Sequence, residues 1–154
     1  LAAPCIAVFG KKDYQQLRVI THMARDLFFP VEIVPHPTVR EEDGVALSSR
    51  NTYLSPSERE RARAIPRALA QAAKVFEEGE RDPVRLRAVA HDVVAPVADS
   101  IDYVSIVDAD TLLSFEPGAK VGERALIALA IRIGTTRLID NMVLGEDAPP
   151  VVPR

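Results

Sequence analysis

The sequence predicts a mixed α/β chain: a βαβ unit, then a small α+β unit with two helices on an antiparallel sheet. Three observations predict it. Residues 5–9, Cys-Ile-Ala-Val-Phe, form a short continuous apolar run ending at Gly10, the pattern of a strand buried on both faces of a parallel sheet. Leu17, Ile20, Ala24, Leu27 and Phe28 recur at helical spacing, and a second short strand pattern, residues 31–34, follows Pro30. Further along, helix patterns precede three strand patterns, the segregation expected of α+β architecture.

Strand, helix and strand within about 30 residues make a βαβ unit with a right-handed crossover. Asp13 is placed to cap the helix over residues 14–28, with Gln16 completing a capping box. Two strands alone are too few for a stable open sheet. Residues 37–51 then form a connection too polar and too long for an ordinary turn, of the kind that binds or covers something. Ser55, Pro56 and Glu58 announce the next helix, which should run to Glu78 and stop at Gly79, with Pro66 kinking or splitting it. Asp82 and Pro83 repeat the start signal for a helix over residues 84–94. The charge runs at residues 58–63 and 77–87 read as solvated faces and helix ends. Residues 102–107, 125–133 and 137–144 read as strands, the last two joined through Gly134, Thr135 and Thr136. The tail, with Pro149, Pro150 and Pro153, is expected to fray. These patterns place a domain boundary between residues 1–52 and residues 53–154.

The chain has 154 residues, 47% of them apolar and 27% charged, with a formal net charge of −3. Such a chain can bury a real core, and its charge argues against a nucleic-acid-binding surface. No apolar run approaches the roughly 20 residues of a membrane span. Residues 1–9 lack the basic lead and long apolar core of a signal peptide. The opening on Leu1 rather than Met, directly before a strand pattern, points to a piece of something longer. Cys5 is the only cysteine and cannot form an internal bridge, which fits a reducing, cytoplasmic compartment. His22, His36 and His91 show no ligand-like spacing, so no metal site is expected.

Two stretches carry chemistry. Gly10, Lys11, Lys12 and Asp13 lie where a strand turns into a helix; open α/β sheets bind ligands there, and helix starts present N–H groups to anions. Gly10 either makes the turn or lets a ligand approach the backbone. Lys12 either neutralises a phosphate or decorates the surface. Asp13 and Gln16 either cap the helix or face a substrate. In the second stretch Ser48, Ser49 and Arg50 offer short donors and a rigid fork suited to phosphate oxygens. The alternative there is a solvated linker with a helix cap nearby.

Taken together, Phe-Gly-Lys-Lys-Asp-Tyr-Gln-Gln-Leu at 9–17, Pro-Thr-Val-Arg-Glu at 37–41 and Asp-Gly-Val-Ala-Leu-Ser-Ser-Arg-Asn at 43–51 resemble the pantoate–β-alanine ligase (pantothenate synthetase) family. The resemblance continues through Tyr53, Leu54, Ser55, Glu58 and Arg59, and again in Gly-Thr-Thr-Arg-Leu-Ile-Asp-Asn at 134–141. It implies the tail end of a Rossmann-like nucleotide-binding domain followed by a lid-like domain. The implied enzyme joins pantoate to β-alanine with ATP through an acyl-adenylate. By this resemblance Gly10, Lys11, Lys12, Asp13, Val39, Leu47, Ser48, Ser49 and Arg50 contact ATP, and Gln16 holds pantoate. Lys12, Ser48, Ser49 and Arg50 would be catalytic. Residues 47–50 match a flexible segment that closes over the triphosphate, the counterpart of the Lys-Met-Ser-Lys-Ser loop of related adenylate-forming enzymes.

Mg²⁺ is expected with the nucleotide, although the chain offers no identified ligand for it. The family's His-x-Gly-His motif is absent from these residues. The resemblance therefore implies the carboxy-terminal part of the enzyme, inactive alone, whose partner is the N-terminal half. It also implies a cytosolic homodimer with no nucleic-acid or membrane partner. Two other readings stay open: a stand-alone protein-interaction module, and a related nucleotidyltransferase with a different acid substrate.

Overall fold

The computed structural model describes residues 4–153, so Leu1 lies outside the described residues. The chain divides into two compact units, one ending at Val39 and the other beginning at Arg40.

The first unit contains β1 (Cys5–Gly10), a one-turn 3₁₀ helix (Lys11–Asp13), α1 (Tyr14–Asp26) and β2 (Val31–His36). The strands pair in parallel, Cys5 opposite Val31 and Gly10 opposite His36. Tyr14, Leu17 and Ala24 form the buried stripe of α1. The helix ends early because Phe28 turns into the left-handed region at φ 53°, and the Phe29 N–H returns to the Ala24 carbonyl at 2.9 Å. Two expectations fail here. Asp13 makes no side-chain bond to the helix start; with the 3₁₀ turn running straight into α1, it has ψ 64° rather than the extended ψ of a cap. Nor is β1 buried on both faces: Ile6 and Val8 are 66% and 60% exposed. Among the described residues the unit has one α-helix, which covers one face of a two-stranded sheet and leaves the other open.

The second unit holds α2 (Pro56–Ala62), α3 (Ala64–Glu77), α4 (Pro83–Val94), β3 (Ser100–Val107), β4 (Ala125–Ile133) and β5 (Thr136–Leu144). Its sheet is antiparallel in the order β3-β4-β5, with Val104 opposite Leu129 and Leu129 opposite Asp140. Ile65, Leu69 and Leu86 from the helices and Ile127, Leu129, Ile131 and Ile133 from β4 are fully buried. Every second residue of β4, from Ala125 to Ile133, belongs to the core cluster on this helix-covered side. The first predicted helix is split at Arg63, which puts Pro66 in the first turn of α3, where a missing N–H is tolerated. The Ser55–Glu58 capping box forms as predicted, the Ser55 N–H donating to Glu58 Oε2 at 2.8 Å. Gly79, at φ 104°, ends α3.

The charge runs are not simply solvated. Arg61 donates Nε to the Val97 carbonyl at 2.8 Å and pairs with Asp99 at 2.7 Å. The Arg81 guanidinium stacks 3.9 Å from the Phe76 ring centroid. The tail does not fray through its described length either. Pro150 is buried, and Arg63 Nη2 donates to the Pro153 carbonyl at 2.9 Å. No helix among the described residues is long and apolar enough to cross a membrane.

Candidate functional site

In the first unit the predicted site residues gather at the carboxyl end of β1. Gly10 is its last residue, Lys11, Lys12 and Asp13 make the 3₁₀ turn, and Gln16 sits in the first turn of α1. Gly10 has φ −70° and ψ 138°, extended backbone open to any residue, so the turn does not require glycine. A Cβ placed on Gly10 would meet no protein atom within 4 Å. What glycine supplies at this position is open space above the backbone. Asp13 and Gln16 are exposed; with no cap bond formed by Asp13, neither side chain is committed to the helix start. Val39, at the end of this unit, is 53% exposed.

In the second unit the long connection is far from structureless. Residues 40–46 fold back as a tight turn: the Glu41 N–H donates to the Val45 carbonyl at 2.9 Å, and the Gly44 N–H donates to the Glu41 carbonyl at 2.9 Å. Gly44 takes φ 88°, and a Cβ on it would come within 2.7 Å of the Val151 carbonyl oxygen, so both conformation and space demand glycine. Val45 and Ala46 are buried. A 3₁₀ helix (Ser49–Tyr53) follows, capped by Ser48, whose Oγ accepts from the Arg50 N–H at 3.3 Å. That hydroxyl keeps its hydrogen to donate elsewhere. Leu47 is 56% exposed, and Ser49 and Arg50 are exposed as well. Ser48 thus caps this 3₁₀ helix, while Ser49 and Arg50 stay exposed.

The turn is fastened by ions that sequence reasoning missed. Arg40 donates Nη1 to Asp140 Oδ2 at 2.6 Å and Nη2 to Oδ1 at 3.2 Å, a forked pair with a carboxylate that is 2% exposed on β5. Arg59 of α2 grips Asp43 through Nε and Nη2, both at 2.6 Å, and reaches Glu41 Oε2 at 2.9 Å. These bonds explain why the second compact unit starts at Arg40, ahead of the sequence-drawn boundary. They also correct the reading of Arg59 as part of a solvated run. The one available signal was the run of four successive charged residues, 40–43.

Arg59 holds the Asp43 carboxyl below its ordinary range, chiefly through their hydrogen bonds; the Asp43 bonds likewise raise Arg59. A depressed carboxyl stabilises the fold fully above its unfolded value, about 3.9, and loses that contribution as pH falls through the lower folded value. Asp43→Asn should therefore be less stable than the parent at pH 7. The gap between the two should close as pH falls below about 4. Thermal unfolding across that range checks it, and a constant gap would refute the pair's role.

Among the described residues, no group of three or more His, Cys, Asp or Glu side chains could hold a metal.

The class defined by this geometry is an α/β unit with an open, lysine-bearing strand tip, followed by an α+β unit with a serine-arginine surface segment. Residues 1–143 match the sequence profile of the family described as Pantoate-beta-alanine ligase. The chain is 51% identical over 148 residues to a pantothenate synthetase of Geobacter sp. (strain M21), covering 96% of this chain and 52% of that relative. It is 50% identical to a bifunctional pantoate ligase/cytidylate kinase of Synechococcus elongatus, covering 97% of this chain and 28% of that one. Among solved structures, the pantothenate synthetase of Thermus thermophilus superposes with a TM-score of 0.81 at 43% identity, over 89% of this chain and 49% of that one. The ligase of Francisella tularensis, complexed with β-γ ATP and β-alanine, has a TM-score of 0.55 at 27% identity, over 94% of this chain and 45% of that one. The chain belongs to the pantoate–β-alanine ligase family. It spans about half the length of the pantothenate synthetases it matches.

Proposed function

We propose that this chain is the carboxy-terminal part of an ATP-dependent ligase that condenses pantoate with β-alanine. The pantoate carboxylate attacks the α-phosphate of ATP, forming pantoyl-adenylate and expelling pyrophosphate. The β-alanine amine then attacks the acyl carbon, forming the amide of pantothenate and expelling AMP. The observation that carries the proposal is the strand tip, where Gly10 leaves open space above the backbone and Lys11, Lys12 and Asp13 form the turn into a helix, a place suited to phosphate. Gly10, Lys11, Lys12 and Asp13 bind the nucleotide, with Val39 against its adenine end. Gln16, exposed in the first turn of α1, holds pantoate. Leu47, Ser48, Ser49 and Arg50 bind the triphosphate, and with Lys12 they stabilise charge as it grows on the α-phosphate and the leaving pyrophosphate. Residues 1–52 then serve as the end of a nucleotide-binding domain and residues 53–154 as a lid. Family membership and the relative complexed with β-γ ATP and β-alanine support this assignment.

The partner of this chain is the half of the enzyme that the match to its relatives does not span. The open face of β1, with Ile6 and Val8 exposed, is apolar surface that such a half would cover. Alone the chain is inactive, and the completed enzyme works in the cytoplasm as a homodimer. AMP release by the completed protein tests the assignment: it should require both pantoate and β-alanine, and the isolated chain should release none. Release that ignores either acid overturns the substrate assignment and favours a nucleotidyltransferase of another acid.

A further inference from the structure

The donors assigned to the second unit, Ser48, Ser49 and Arg50, lie at the surface or close to it, so their aim depends on what stands behind them. A chain of hydrogen bonds stands there. The Arg59 guanidinium bonds Asp43 and shares its Nη2 with Glu41 Oε2 at 2.9 Å. The other oxygen of Glu41, Oε1, accepts from Nδ2 of Asn51. That same Nδ2 donates to the Ala46 carbonyl at 3.1 Å, while the Asn51 N–H donates to the Ser48 carbonyl at 3.0 Å. One residue, Asn51, thus ties together both flanks of Leu47 and Ser48, and its side chain is fixed by a carboxylate that Arg59 fixes in turn.

We propose that Arg59 is a positioning residue for the phosphate-facing donors of residues 48–50, acting through Glu41 and Asn51. The nucleotide half of this inference rests on the function proposed above. Arg59 bonds two carboxylates at once through Nε and Nη2, which needs a planar fork; a lysine ammonium at the same place is a point charge and holds one carboxylate well. Glu41 in turn accepts with both oxygens, from a guanidinium on one side and an amide on the other. The turn of residues 40–46 is thereby made rigid, and its rigidity is handed to the segment carrying Arg50.

Amide hydrogen exchange on this chain tests the brace without any ligand. Arg59→Met should speed exchange of the Asn51 and Leu54 amides about tenfold, the effect of losing a charge-assisted tether, with the β4–β5 ladder unchanged. Glu41→Gln leaves the Arg59–Asp43 fork in place and so keeps the unit folded; it should speed the same two amides about threefold. In the completed enzyme, Arg59→Lys and Glu41→Gln should each raise KM for ATP about tenfold and leave KM for pantoate unchanged. A merely structural role would instead lower kcat through a smaller active fraction and leave both KM values alone. Unchanged exchange at Asn51 and Leu54 in both variants overturns the brace, whatever the enzyme does. Faster exchange with an unmoved KM for ATP overturns the nucleotide-directed half and places the failure in the assignment of residues 48–50 to phosphate.

Discussion

Arg40→Met is expected to destabilise the second unit by about 3–5 kcal/mol, the range seen when one partner is removed from a buried ion pair. Asp140 is 2% exposed, and two of its hydrogen bonds come from the Arg40 fork, at 2.6 and 3.2 Å. Without the guanidinium its negative charge stays in the core with much of its compensation gone. Arg40 Nη1 also donates to the Gly44 carbonyl at 3.1 Å, so the turn of residues 40–46 loosens at the same time. Removing both partners, as Arg40→Met with Asp140→Leu, should recover most of the loss, because no buried charge is left behind. Urea unfolding followed on β4 and β5 amides measures both variants. A loss below about 1 kcal/mol for Arg40→Met would mean that the pair behaves as a surface ion pair, against its burial.

Lys12→Ala, placed in the completed enzyme, is expected to slow pantoyl-adenylate formation about 10²–10³-fold, the usual effect of removing one preorganised donor from a developing charge. Pyrophosphate release in a single turnover reads that step directly. Gln16→Ala should behave differently, raising KM for pantoate with adenylation at saturating pantoate little changed. The geometry sharpens this contrast: since Asp13 does not cap α1, Gln16 has no capping partnership to lose. Its replacement should shift stability by less than about 0.5 kcal/mol, as for other surface sites. A Lys12→Ala enzyme slowed less than about tenfold would reduce Lys12 to a surface lysine and remove the main support for the strand-tip site.

Local signals in the sequence were dependable where the physics is local. The Ser55–Glu58 box, the stop at Gly79 and the break near Pro66 all act within a turn or so of chain, and each is where the sequence places it. The parallel pairing of residues 5–10 with 31–36 and the antiparallel run of three later strands likewise follow from apolar patterning. Patterning misjudged Asp13, because residue type alone does not show that a 3₁₀ turn leads into α1 and leaves no extended cap residue. It also misjudged β1, since a continuous apolar run says which residues prefer burial and not what is at hand to bury them.

The candidate site divides along the same line. Gly10, Lys12, Gln16 and residues 48–50 are proposed from residue type and from resemblance to a known family. The brace behind residues 48–50 was legible from neither. Arg40 meets Asp140 across 100 positions, and Arg59 meets Asp43 across 16, and nothing in a string of charged letters says which cation finds which anion. By itself, then, the sequence determined the order and kind of the elements and the family to which they belong, through interactions that reach only a few residues. Only the tertiary structure decided that an apparently solvated loop is an ion-locked turn, because Coulomb and hydrogen-bond energies depend on distance in space, which folding alone assigns.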